Sequence, residues 1–68
     1  MVKEIEIGKN IKKYRNKQEL SQEDFAKKSG VKYTTLTKIE SGVIKKPSVL
    51  VMAQIAKALG VQIEDLIK

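Results

Sequence analysis

Tyr33, Thr34, Thr37 and Lys38 carry hydroxyls, methyls and an ammonium, and at 100° per residue they share one arc with Ser41 on a helix running from about Lys32 to Ser41. Those groups suit the edges of stacked bases. Lysine can donate to guanine O6 and N7, threonine can offer a methyl to thymine or a hydroxyl to either kind of edge, and tyrosine can do either or reach a phosphate. They do not spell out a base sequence. Three threonines among Thr34, Thr35 and Thr37 are a poor choice for a helix that needs only stability, since each β-branch costs a few tenths of a kcal/mol. The arc is therefore read as functional rather than as surface filler.

A second set of groups suits phosphate. Ser21 and Gln22 stand where a helix begins, and would offer backbone N–H groups and side-chain donors to an anion that the helix dipole also attracts. Lys45 and Lys46 follow the helix that carries the arc, and Lys32 precedes it. Each lysine contact to a phosphate adds close to one unit to the salt dependence of binding.

Two short helices meeting at a sharp turn would hold these groups. In Gln22–Ser41, QEDFAKKSGVKYTTLTKIES, Phe25 and Ala26 lie on the first helix, Gly30 and Val31 at the bend, and Leu36 and Ile39 on the second. A small Ala26 lets the helices approach, and Gly30 can end the first helix at positive φ. Val31 turns inward, and Leu36 with Ile39 form a buried stripe opposite the polar arc. Ser21 followed by Asp24 is a variant capping box that marks the start. A bihelical unit of this kind is built to enter a DNA groove.

Charge agrees, and position more so than amount. Fourteen Lys and Arg against eight Asp and Glu give a formal +6 and a pI near 9.7, a balance found in nucleic-acid-binding domains but also carried for solubility alone. Lys32, Lys38, Lys45 and Lys46 face a single acid, Glu40, between Lys32 and Lys46, whereas the tail Glu64, Asp65, Lys68 is slightly acidic. The excess includes the edge expected to meet phosphate.

Sixty-eight residues suffice for one domain of four or five short helices. Met1–Glu6 is read as a partly ordered N-terminal arm, with an edge strand or a helix lead-in as alternatives, and residues 7–68 as the domain. From Ile7, the positions Ile11, Tyr14 and Gln18 make one helical stripe, with Lys9, Lys12, Lys13 and Lys17 on a solvated outside. Gly42–Lys46 forms a loop, and Pro47-Ser48 opens another helix with Ser48 as N-cap. Val49, Val51, Met52, Ala53, Ile55, Ala56, Ala58 and Leu59 surround most of that helix, which predicts burial on most sides. Gly60 stops it, and a short last helix follows.

The chain resembles the Cro and phage-repressor type of helix-turn-helix domain, the XRE family. The stretches that carry the resemblance are IGKNIKKYR at Ile7–Arg15, SQEDFAKKSGV at Ser21–Val31, TKIESG at Thr37–Gly42 and PSVLVMAQIAKALGVQIEDLI at Pro47–Ile67. Their order and spacing, more than any one of them, are specific. The resemblance implies an all-α fold, a compact lambda-repressor-like bundle of four to five short helices. It implies that Tyr33, Thr34 and Lys38 occupy base-contacting positions and that Gln22 touches the DNA backbone and steadies the recognition helix. It also implies that Arg15 and Glu40 pair across the domain in a structural role, beside Ala26 and Gly30.

The chain departs from the family pattern in four places. Lys32 and Gln62 stand where caps are usual, and each is expected to cost on the order of 1 kcal/mol relative to Ser. Ser29 replaces a larger apolar residue, which predicts a less filled corner of the core. Val43 and Ile44 make the loop after the recognition helix unusually apolar, either packing beneath it or meeting a partner chain.

The expected function is sequence-specific binding of double-stranded DNA by a small transcription regulator, a dimeric repressor, since a monomer reading four or five base pairs lacks the specificity a genome demands. The dimer surface is expected near Leu50, Val51, Val61, Ile63 and Ile67, residues that could equally be simple core. The alternative is an antitoxin or adaptor that chiefly grips a partner protein. An enzyme is disfavoured: there is no His or Cys, no glycine-rich phosphate loop and no isolated carboxylate pair. No metal, cofactor or small-molecule substrate is indicated, no run approaches the roughly 20 residues of a membrane span, and a cytoplasmic, nucleoid-associated location is expected.

Overall fold

Local capping chemistry divides the chain into its helices. The computed structural model describes residues 6–68, so all of the arm expected at Met1–Glu6 except Glu6 lies outside the described residues. The helices are α1 (Ile7–Lys17), α2 (Gln22–Ser29), α3 (Tyr33–Glu40), α4 (Val49–Leu59) and α5 (Ile63–Leu66), with no strand among the described residues. Ser21 Oγ accepts from Asp24 N–H at 3.0 Å, and Ser48 Oγ from Val51 N–H at 3.2 Å. Each satisfies one amide that the first helical turn leaves without a partner. Gly30 and Gly60 close α2 and α4 at φ 77° and 73°, left-handed conformations that cost glycine nothing.

Ile11, Phe25, Leu36, Ile39, Ile55 and Leu66 are fully buried, and Ala26, Val31, Met52, Ala56 and Leu59 complete a single core to which all five helices contribute. Burying the Phe25 side chain alone is worth about 1.5–3 kcal/mol. Helix α1 packs on α3, α4 and α5, while α2 packs on α3 and α4. Polar side chains close the seams: Asn10 Nδ2 donates to the Leu66 carbonyl at 2.7 Å, and Gln18 Nε2 to the Leu59 carbonyl at 2.8 Å. No described helix is long and apolar enough to cross a membrane.

Two expectations need correction. Helix α4 is buried on one side only: Met52, Ile55, Ala56 and Leu59 face the core, but Val49 and Leu50 are 79% and 72% exposed and Ala53 is exposed as well. The other helices cover a single face of α4, and composition carries no record of that. Gln62 does not leave α5 without a cap, because Asp65 Oδ2 accepts from the Gln62 N–H at 3.0 Å. That N–H, followed by the Lys68 ammonium, holds the Asp65 carboxyl below its ordinary value, so the contribution is present above the usual carboxylate range and fades only in acid. At Ser29, where the smaller side chain was expected to leave the core less filled, the hydroxyl donates to the Ala26 carbonyl at 3.3 Å and accepts from Val31 N–H at 3.2 Å. It stitches the turn that a larger apolar residue would have filled.

The α1–α2 turn carries strain. Glu19 has φ 57°, the only positive value at a non-glycine residue in the described chain, and a left-handed L-residue costs roughly 1–2 kcal/mol. Glu19→Gly should raise stability by about 0.5–1 kcal/mol, because the extra freedom of glycine in the unfolded chain takes part of the relief back. A thermal melt should move up by a few degrees. A melt that falls would mean that the Glu19 side chain contributes more than its backbone costs.

Candidate nucleic-acid interface

One buried ion pair ties α1 to the end of α3. Arg15 on α1 donates from Nε to Glu40 Oε2 and from Nη2 to Glu40 Oε1, both at 2.9 Å, and from Nη1 to the Leu20 carbonyl at 2.7 Å. The side chains of Arg15 and Glu40 are 9% and 3% exposed, so this planar two-point contact works away from competing water. Gln22 Nε2 adds a longer bond, 3.3 Å, to Glu40 Oε1. The start of α2, the end of α3 and the last turn of α1 thus share one carboxylate. No buried side-chain nitrogen or oxygen among the described residues lacks a partner.

Leu36 and Ile39 anchor the inner face of α3, leaving the other face outward. Tyr33 is 46% exposed, Thr34 and Lys38 are exposed, and Thr37 is half-buried. Thr37 Oγ1 donates to the Thr34 carbonyl at 2.9 Å and Ser41 Oγ to the Lys38 carbonyl at 3.1 Å. With its proton committed to the helix, Thr37 presents only lone pairs and a methyl outward. Lys32 and Ser41 flank α3 as its end residues rather than lying within it, and Lys32 makes no side-chain cap.

Ser21 and Gln22 sit at the start of α2, Ser21 exposed and Gln22 half-buried, and Lys32, Lys45 and Lys46 are exposed. The loop after α3 folds back by a bond from Ile44 N–H to the Lys38 carbonyl at 3.0 Å. Ile44 packs on the core while Val43 is 72% exposed. Ala26 lies within α2, buried beside Phe25, and Gly30 caps α2 at the α2–α3 bend.

Sequence reasoning passed over Gly8. An ideal Cβ there would lie 3.1 Å from Glu40 Cα and would overlap the Ile39 carbonyl oxygen. The available signal was a residue that weakens helices standing inside an otherwise helix-favouring run. Asn10 was missed as well, since an amide on a helix face gives no hint of the carbonyl it will find 56 positions later.

The model of the helix-turn-helix family matches residues 11–66. The chain belongs to that family, in its Cro and phage-repressor type. This helix-turn-helix chain is 46% identical over 56 residues to an uncharacterised HTH-type transcriptional regulator of Methanocaldococcus jannaschii, a match covering 82% of this chain and 83% of the relative. Its fold is similar to that of SinR, the master regulator for biofilm formation, solved in complex with DNA. The TM-score is 0.88 at 31% identity over 91% of this chain and 98% of that one. It is similar also to the restriction-modification controller protein C.AhdI from Aeromonas hydrophila, with a TM-score of 0.84 at 26% identity over 91% and 92% of the two chains. In this helix-turn-helix domain α2 and α3 are the bihelical unit and α3 is the recognition helix.

Proposed function

We propose that this chain regulates transcription by binding double-stranded DNA with α3 in the major groove. The observation that carries the proposal is a polar, exposed face on a helix whose inclination is fixed by a buried two-point ion pair. Tyr33, Thr34, Thr37 and Lys38 read base edges, Thr37 as an acceptor or through its methyl. Ser21, Gln22, Lys32, Lys45 and Lys46 hold phosphates on either side. The similarity to SinR, a regulator solved with DNA, supports the reading.

Two copies act together on a two-fold site and repress by occupancy, because a single helix reads too few base pairs to find one site in a genome. Of the residues expected at the dimer surface, Val51, Val61 and Ile63 pack against the chain's own core, whereas Leu50 and Ile67 stay exposed. The second copy meets the domain through the latter pair. That same exposed apolar surface is what favours the runner-up, an adaptor or antitoxin gripping an unrelated protein.

Selection from a random duplex library at two salt concentrations, with sequencing of the retained DNA, tests the proposal. An enriched palindrome is expected. Retention without enrichment that vanishes at higher salt would overturn it in favour of the adaptor. On the recovered operator, Lys32→Gln and Lys46→Gln should each lower the slope of log affinity against log salt by about one while leaving sequence preference intact. A slope that does not move would remove that lysine from the phosphate contacts.

A further inference from the structure

We infer that Gly8 is a positioning residue for DNA reading: by carrying no side chain it lets α1 lie directly on the backbone at the end of α3 and so sets where the recognition helix stands. The inference rests on the proposed DNA-binding role. Gly8 lies inside α1, where glycine weakens a helix relative to alanine. It is absent from the positive-φ glycines, so backbone conformation does not call for it. Close approach does. A Cβ there would overlap the Ile39 carbonyl oxygen and crowd Glu40 Cα and its carbonyl oxygen, each at 3.1 Å. Every one of those atoms is backbone, and none can swing aside as a long side chain would.

Gly8 and Arg15 stand seven residues apart, two helical turns, and so share a face of α1. Both contacts land on the same residue of α3, Gly8 against the Glu40 backbone and Arg15 on its carboxylate. One contact alone would allow α3 to pivot; two, spaced along α1, prevent it. The Ile39 carbonyl also accepts the Gly42 N–H at 3.2 Å, a bond that turns the chain into the loop bearing Lys45 and Lys46. A methyl at position 8 therefore pushes on the helix end next to Thr37 and Lys38 and on the loop after it, without touching the reading face itself.

The test is Gly8→Ala in the full chain, measured beside Lys57→Gly, a control at an exposed position of α4 that lowers stability by weakening that helix. In the free protein, amide resonances over residues 37–42 should move in Gly8→Ala and stay put in the control. An unmoved set overturns the inference whether or not any operator exists. On the operator recovered with the parent chain, Gly8→Ala should bind about tenfold or more weakly, the scale of one misread base pair, while binding to random duplex stays within a factor of about three. Specific and random binding that fall together, or an unchanged ratio, would overturn the inference. Where Gly8→Ala does not fold, it is repeated with Glu19→Gly. A pair that still stays unfolded assigns Gly8 to the fold alone and overturns its positioning role. A parent chain that enriches no sequence defeats the DNA-reading proposal separately, with the resonance shifts still deciding the role of Gly8.

Discussion

Glu40→Ala should cost the domain about 3–5 kcal/mol, because it leaves the Arg15 guanidinium buried with only the Leu20 carbonyl as partner. A 68-residue chain holds a total stability of roughly 3–10 kcal/mol, so this one truncation removes a large share of it. Arg15→Ala should cost a similar amount from the other side, stranding a carboxylate that then keeps only the longer bond from Gln22. Replacing both at once with apolar residues of similar length, Arg15→Met with Glu40→Leu, should recover much of the loss, since no buried charge then lacks a partner. The recovered protein should still bind its operator poorly, because packing alone does not fix the angle of α3 as two parallel hydrogen bonds do. Thermal and urea melts of the three variants decide the matter. A loss below about 1 kcal/mol for either single change would place the pair among exposed salt bridges and remove it as the determinant of helix angle.

The second large effect lies on DNA rather than on the fold. Thr34→Ala and Lys38→Ala should each lower operator affinity by about 1–3 kcal/mol, five- to 150-fold, and together by nearly the sum where they read separate base pairs. Neither side chain contributes to the core, and both residues are exposed. Stability should hold or rise slightly, since alanine is the better helix former. Fluorescence anisotropy on the operator and on single-base variants checks this: the loss should be confined to particular positions of the site. An equal loss on every duplex would make Thr34 or Lys38 a phosphate contact instead.

What could be read from the sequence follows the range of the interactions involved. Ser21, Ser48, Gly30 and Gly60 were legible because caps act within three or four residues, and the spacing of Leu36 and Ile39 displays the inner face of α3 directly. The Arg15–Glu40 pair spans 25 positions and came from family resemblance, since nothing local joins the two. Gly8 was illegible for the same reason, its partners lying 31 and 32 positions on in another helix. Asp65 capping Gln62 is a local pattern as well, but its signal is the acid three positions on rather than the residue at the cap, which by type is a poor one. On α4, hydropathy counts apolar residues without saying what covers them. Val49, Leu50 and Ala53 are apolar and yet exposed.

The bond from Asn10 to the Leu66 carbonyl closes a ring through 56 positions of chain, and that bears on the order of assembly. Contacts between α2 and α3 join neighbours and carry little loop-closure entropy, whereas α1 can meet α5 only when almost everything between them is already in place. The bihelical unit is thus the early part of the fold and the α1–α5 seam the late one. Unfolding runs the other way. A four-residue α5, held from outside by an amide on α1, should be the first piece to let go, and its departure would loosen the same helix that bonds to α3.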